Sequence, residues 1–262
     1  MSTQGVRNIL FIFRHEICQA FKSRGFLIAI FLGCAVTVTH FITAVFPFSL
    51  ILDMFIDEAM QTPGYLFSQW IGGNFTRVHN QLYFNLLPII AILPFGLSYF
   101  SDVKGGYIKN VCIRVKRSKY LNAKYIAAFL SGGAVVCIPL LINFYLSCLV
   151  LPIIKPEITT STSLLMKTCL WSELYFSQPL LYNLLYMLAI FAFRGGIATT
   201  ALAISDFVEY QLLALIIPVI AYLFIMSLCD IFGLIEWKFT LVFSPGIEAT
   251  AWGRGAVQEC NP

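Results

Sequence analysis

The chain has 262 residues, of which 59% are hydrophobic and 11% charged, against about 25% charged in an ordinary soluble domain. A mean hydropathy of +0.82 and 24 Phe residues give more apolar surface than one core of this length can bury, so lipid must cover much of it and a soluble globule is excluded. The net charge of +4 argues against a nucleic-acid binder, and eight cysteines with no Cys-x-x-Cys or Cys/His pairing argue against a zinc site or a disulfide-stapled scaffold.

Residues 1–25 come first in chain order. Leu10, Phe13, Ile17 and Phe21 recur at helical spacing beside Arg7, Arg14 and Lys22, which predicts a helix lying in the cytoplasmic interface. The same periodicity also fits the early start of a long first span. Ser23-Arg24-Gly25 is the expected bend. The segment is no cleaved signal peptide, because its basic region and the apolar run after it are both too long and no A-x-A site follows.

Five apolar runs reach the roughly 20 residues needed to cross about 30 Å of hydrocarbon at about 1.5 Å per residue. They are Phe26 to Phe46, Leu82 to Phe100, Tyr125 to about Ile154, about Pro179 to Ile204, and Gln211 to Cys229. The third and fourth exceed one crossing and are expected to tilt or project. The predicted fold is an all-α polytopic integral membrane protein, one transmembrane domain over residues 1–262.

Basic residues set the orientation, because Lys and Arg stay on the cytoplasmic side. Residues 1–25 hold four of them and residues 101–124 hold seven, whereas the alternate connections hold only Arg77, then Lys155 and Lys167, then Lys238 and Arg254. The N-terminus is therefore predicted inside and the tail 231–262 outside. That tail ends at Asn261-Pro262 with nothing to return it, so the chain is expected to stop before a sixth span.

Two fragments imitate nucleotide-binding elements. Leu130-Ser131-Gly132-Gly133 falls inside the third run, where small residues let helices approach, and the apolar run ending in Asp57-Glu58 falls in a predicted outer loop. No G-x-x-x-x-G-K-[ST] exists, so no phosphate cradle is expected and the chain by itself is not an ATPase. His15, His40 and His79 are placed inside, within the first span and outside, too far apart to share a metal. Neither H-E-x-x-H nor G-x-S-x-G occurs, so no catalytic residue is assigned. Asn74-Phe75-Thr76 matches a glycosylation sequon, a pattern frequent by chance.

The most informative segment runs from Leu93 to Asn122. It passes Asp102 and Gly105-Gly106, places Tyr107, Val111 and Val115 on one helical face, and then meets Arg114, Lys116, Arg117 and Lys119 before re-entering the membrane near Lys124. A positive-inside loop explains the charge but not the apolar stripe. A short docking helix explains both.

Gly96-x-x-Tyr99-x-x-Asp102 at the end of the second run, Gly105-Gly106-Tyr107, the Arg114 to Arg117 cluster, Tyr120-Leu121 and Lys124 resemble the permease subunits of ABC-2 type ATP-binding-cassette transporters. So do the basic N-terminal helix and Ser244-Pro245-Gly246. The missing sixth span departs from that pattern. The resemblance implies a multi-pass subunit in a cell membrane of bacterial type, paired with a second permease as a homo- or heterodimer. A separate cytoplasmic ATPase would bind ATP and Mg, leaving this chain without cofactor or metal. Residues 101–124 would be the coupling loop, with Tyr107, Val111, Arg114, Val115, Lys116 and Arg117 facing the ATPase. Spans rich in Phe and Leu fit export of a peptide or lipid-like cargo. A stand-alone channel, a secondary carrier and a membrane immunity or interaction protein remain open, although no inverted repeat or paired intramembrane acids favour a carrier.

Three polar residues within the runs are candidates for a translocation path, since intramembrane charge usually faces a cavity or partner. Arg194, followed by Gly195-Gly196, either lines the path or pairs with Asp206 or Glu209, or it snorkels to the interface. His40 is more often a hydrogen-bonded packing histidine than a ligand, and Asn143, with Pro88, Pro94 and Pro139, more often marks a kink than a binding group.

Overall fold

The computed structural model describes residues 3–51, 66–73, 78–96, 98–113, 115–156, 172–208 and 210–232. Asp57-Glu58, the Asn74 to Thr76 sequon, Arg77, Arg114, Lys167, Glu209 and the tail from residue 233, with Ser244-Pro245-Gly246, lie outside the described residues. Among those described, all regular structure is helical. Three helical stretches are long and apolar enough to cross a membrane: Arg24–Leu50, Arg117–Val150 and Pro179–Ile204. The chain is thus a membrane-embedded protein. Large apolar side chains left bare, such as Phe31 at 73% and Leu188 at 63% exposed, are what a lipid-covered surface requires.

Helix α1 (Thr3–Lys22) is amphipathic. Its inward face centres on Glu16 and Ala20, with Phe13, Ile17 and Phe21 half-buried along the flanks. It stops at Ser23, whose Oγ accepts from the Phe26 N–H and donates to the Pro94 carbonyl at 2.8 Å, an N-cap for the next helix.

Helix α2 (Arg24–His40) passes into a π-helical stretch, Phe41–Val45, and then α3 (Phe46–Leu50). Pro47 at the start of α3 has no N–H to give the preceding turn, and the wider π turn accommodates that loss. A short buried helix α4 (Leu66–Gln69) follows.

The second predicted span differs from its expected bounds. Helix α5 (Val78–Ile92) ends in a turn over residues 93–96, and α6 (Ser98–Lys104) is separate. Pro94 lacks the N–H that would continue the ladder. Gly25 fits against the break, where a Cβ would lie 2.1 Å from the Leu93 carbonyl oxygen. Helix α7 (Tyr107–Cys112) follows Gly106, the sole described glycine with positive φ, at +70°.

Helix α8 (Arg117–Val150) has 34 residues and is the most enclosed of the three long helices, 56% of its apolar window being buried. After α9 (Ser172–Ser177) come α10 (Pro179–Ile204) and α11 (Gln211–Ile231).

The chain divides into two compact units. One comprises Met1–Gly33, Leu86–Ile138 and Ile190–Ile225; the other comprises Cys34–Asn85, Pro139–Ala189 and Met226–Pro262. In the first, α8 and α10 meet through glycines: a Cβ on Gly132 would lie 2.5 Å from that of Ala198, and one on Gly195 would lie 2.6 Å from the Phe129 carbonyl oxygen. The second has an aromatic core in which Tyr175 and Tyr182 pack with Leu66 and Phe67, and Trp70 meets Phe144 and Tyr186 edge to face.

Candidate functional site

The first unit holds a buried charge cluster directly behind the predicted coupling segment. Lys124, 0% exposed, reaches Glu16 Oε2 at 3.1 Å, Asp102 Oδ2 at 2.6 Å and Ser98 Oγ at 3.2 Å. The ammonium thus hydrogen-bonds Ser98 and pairs with two carboxylates. Its charge also lies over the Phe95 and Tyr120 rings, 4.5 and 5.5 Å from the centroids. Tyr120 donates its hydroxyl to Asp102 Oδ2 at 2.5 Å. Burial pushes the Glu16 carboxyl above its ordinary range, and the ammonium of Lys124 pulls against that shift. The cluster ties α1, α6 and α8 together.

A second clamp lies nearer solvent. Tyr99 donates to Asp206 Oδ1 at 2.9 Å and accepts from the Arg117 guanidinium at 3.1 Å, while Arg117 and Asp206 stand 3.6 Å apart, both about half exposed. Exposed pairs of this kind contribute about 0 to 1 kcal/mol; its value is in fixing the α10–α11 connection to α6.

On this base stands the segment 105–116. Gly106, at a φ suited to glycine, turns the chain into α7. Tyr107 is 41% exposed and Ile113 84% exposed, whereas Ile108 packs on the core formed by Phe95, Tyr99 and Leu202. Burial, then the carboxylates of Glu16 and Asp102, raises the Tyr107 phenol.

Of the predicted stripe of Tyr107, Val111 and Val115, the first two lie on α7, and the Val115 N–H bonds the Val111 carbonyl at 3.0 Å one turn on. Helix α7 ends at Cys112, so Val115 lies beyond it, and Val111 and Val115 are half-buried beside an exposed Tyr107. Six residues give a helix little propagation, and the β-branched Val111, Ile113 and Val115 favour its early end. Ile113, outside the predicted stripe, is exposed, as are Tyr107 and Lys116. Arg117 instead belongs to the Tyr99 clamp.

Arg194 does not snorkel: it is fully buried, lies over the Tyr222 ring at 5.2 Å and donates to the Tyr222 hydroxyl at 3.4 Å; Glu209, one of its two expected partners, lies outside the described residues. Asp206 is held by Arg117, and the Tyr222 π-face supplies the partial negative charge that Arg194 meets.

In the second unit the structure brings His40 and Asn143 together. The Asn143 amide nitrogen donates to the Thr37 carbonyl at 2.8 Å and stands 3.4 Å from His40 Nδ1, while its oxygen accepts from the Ile71 N–H at 3.0 Å. Asn80 donates to the Ile71 carbonyl. His79, expected far from His40, meets it edge to face at 6.0 Å between centroids, because α5 begins at Val78, alongside α2 rather than beyond it. Among the described residues no group of three or more His, Cys, Asp or Glu could hold a metal ion.

Glu16 was invisible to the charge count that set orientation. Its signal was an acid at the centre of the α1 apolar face, between Phe13 and Ala20, which calls for a buried cation opposite. Comparison with family models, with curated proteins and with solved structures returns no match, so a functional reading rests on this geometry and on the sequence.

Proposed function

We propose that the chain is the membrane-spanning permease subunit of an ABC-2 type transporter, driven by a separate ATP-binding-cassette ATPase. In this reading α2–α3, α5, α8, α10 and α11 supply five spans, with α5 completed through the break toward α6. The N-terminus is cytoplasmic and α1 lies in the inner interface of a bacterial cell membrane. A second permease, identical or related, completes the pathway. The partner ATPase binds ATP and Mg and supplies the hydrolysis; this chain carries out no catalysis. The cargo is a peptide or lipid-like molecule moving outward, consistent with the Phe- and Leu-rich spans.

The observation that carries the reading is the segment 105–116. It presents Tyr107 and Ile113 outward from a base held by a buried ion cluster and a Tyr99–Asp206–Arg117 clamp. A loop serving only to reverse the chain needs no such base, whereas one transmitting force needs a rigid seat. The test is purification of the tagged chain from its native membrane. A stoichiometric ATPase whose hydrolysis responds to a peptide or lipid panel supports the reading, and purification as a lone homo-oligomer that conducts or exchanges a solute sinks it.

A further inference from the structure

A cleft of about 720 Å³ opens where α1 turns into α2. One wall is α1, with His15, Cys18 and Lys22, and the other is α6, with Ser98, Ser101 and Asp102. Asp102 is only 16% exposed, and its Oδ2 is taken by Lys124 and Tyr120, which leaves Oδ1 as an acceptor. Ser98 Oγ accepts from Lys124, so its own hydroxyl hydrogen is left to donate. Across the cleft Lys22 and His15 are exposed donors.

Charge selects among ligands. The buried cluster has two carboxylates for one ammonium, and the Asp102 end of it reaches the cleft, so a plain anion meets repulsion there. A plain cation meets Lys22. A zwitterion satisfies both walls. Position selects further: Arg24 opens the first apolar helix and Tyr125 opens the apolar run of α8, one residue after Lys124. The cleft therefore lies where hydrocarbon gives way to headgroups. A quaternary ammonium would need an open aromatic face, and the Phe95 ring is already covered by Lys124. A primary ammonium can hydrogen-bond Asp102 instead.

We propose that this cleft is a binding site for the headgroup of a phospholipid bearing a primary amine, with the ammonium at Asp102 and the phosphate at Lys22, His15 and Ser98. The proposal goes beyond the transporter reading and holds with or without an ATPase partner.

Cys18, an exposed thiol in the α1 wall, is a native probe. The full chain is placed in nanodiscs of phosphatidylcholine with or without phosphatidylethanolamine or phosphatidylglycerol, and maleimide alkylation is read on the Cys18 peptide by mass spectrometry. Phosphatidylethanolamine should slow alkylation about tenfold at about ten times its Kd, and native mass spectrometry should show one such lipid retained. Equal slowing by phosphatidylglycerol, slowing by inorganic phosphate or free phosphoethanolamine in plain phosphatidylcholine discs, or no slowing in any disc overturns the proposal. Lys22→Gln and Asp102→Asn should lose the retained lipid. Because Asp102→Asn also alters the buried cluster, Ser101→Trp fills the cleft from an exposed position; it should lose the lipid at an unchanged melting temperature, and its retention of the lipid would count against the site.

Discussion

Lys124 is a cation whose removal leaves two acids facing protein instead of water. Truncating one partner of a buried ion cluster costs about 3–5 kcal/mol, while replacing the whole cluster with apolar groups of similar volume is often neutral. Lys124→Met should therefore lower the melting temperature in detergent sharply, and adding Glu16→Gln and Asp102→Asn should recover much of the loss. If the triple variant is less stable than Lys124→Met alone, the cluster is not the source of the loss. Glu16 also gives a pH signature. Its folded pKa is raised above 4.5 by burial, so between the two values the folded state holds a proton that the unfolded chain has released. Its contribution is fully present below 4.5, declines as pH rises through the folded value and is flat above that; Glu16→Gln should remove this slope from a melting-temperature series. Arg194 allows a finer discrimination. Its 3.4 Å contact to the Tyr222 hydroxyl is long, while the ring face lies 5.2 Å away. Tyr222→Phe should cost little, and Tyr222→Leu about 2 kcal/mol more, the worth of a desolvated cation–π contact. Equal losses would assign the role to the hydroxyl.

At the scale of elements, Gly106 and α7 are the sensitive joint. A Cβ on Gly106 meets nothing within 4 Å, so Gly106→Ala tests backbone strain alone, about 1–2 kcal/mol for a left-handed non-glycine residue. That strain falls on a turn and should alter α7 before it alters the fold. Under the transporter reading, Tyr107→Ala and Ile113→Asp should uncouple ATP hydrolysis from transport or release the ATPase, with normal expression; Lys116→Glu should cost little at physiological salt. Stoichiometric ATPase and normal transport in both face variants would reduce the segment to a basic loop. Much of this level was legible in the sequence. The long apolar runs gave α2, α8, α10 and α11, Ser23 and Gly25 marked the first bend, and Gly132-Gly133 marked a close helix approach. The break after α5 was not legible as such, because Leu93 to Phe95 is as apolar as its flanks and Pro94 reads equally as a kink or an end. Ile113 was missed because it lies off the stripe drawn at helical spacing. The meeting of His40 with His79, and of Glu16 with Lys124, depends on contacts between distant stretches that periodicity does not encode.

For the whole molecule, topology is the property that every functional reading requires. On the proposed orientation, N-terminus inside, a cysteine introduced at Lys116 should react with a membrane-impermeant reagent only after the membrane is opened. Labelling in intact cells would invert the orientation and with it the ATPase-facing role of segment 105–116. Composition and charge distribution were enough to expect a membrane protein and to predict this orientation, since both are sums over the chain. They carry no information on which side chains meet.

The pairing of Glu16 with Lys124 imposes an order on biosynthesis. Roughly a hundred residues separate the two, and at about 5 to 20 residues per second of synthesis the acid waits about 5 to 20 s for its counterion. During that interval α1 has its apolar face open and a carboxyl on it that only water or a proton can satisfy, so it has to rest at the membrane surface and not within it. Docking of α1 therefore reports that the helix carrying Lys124 has arrived, and a nascent chain halted before Lys124 should leave a cysteine introduced at Ala20, buried in the finished protein, open to reagents that the finished protein excludes.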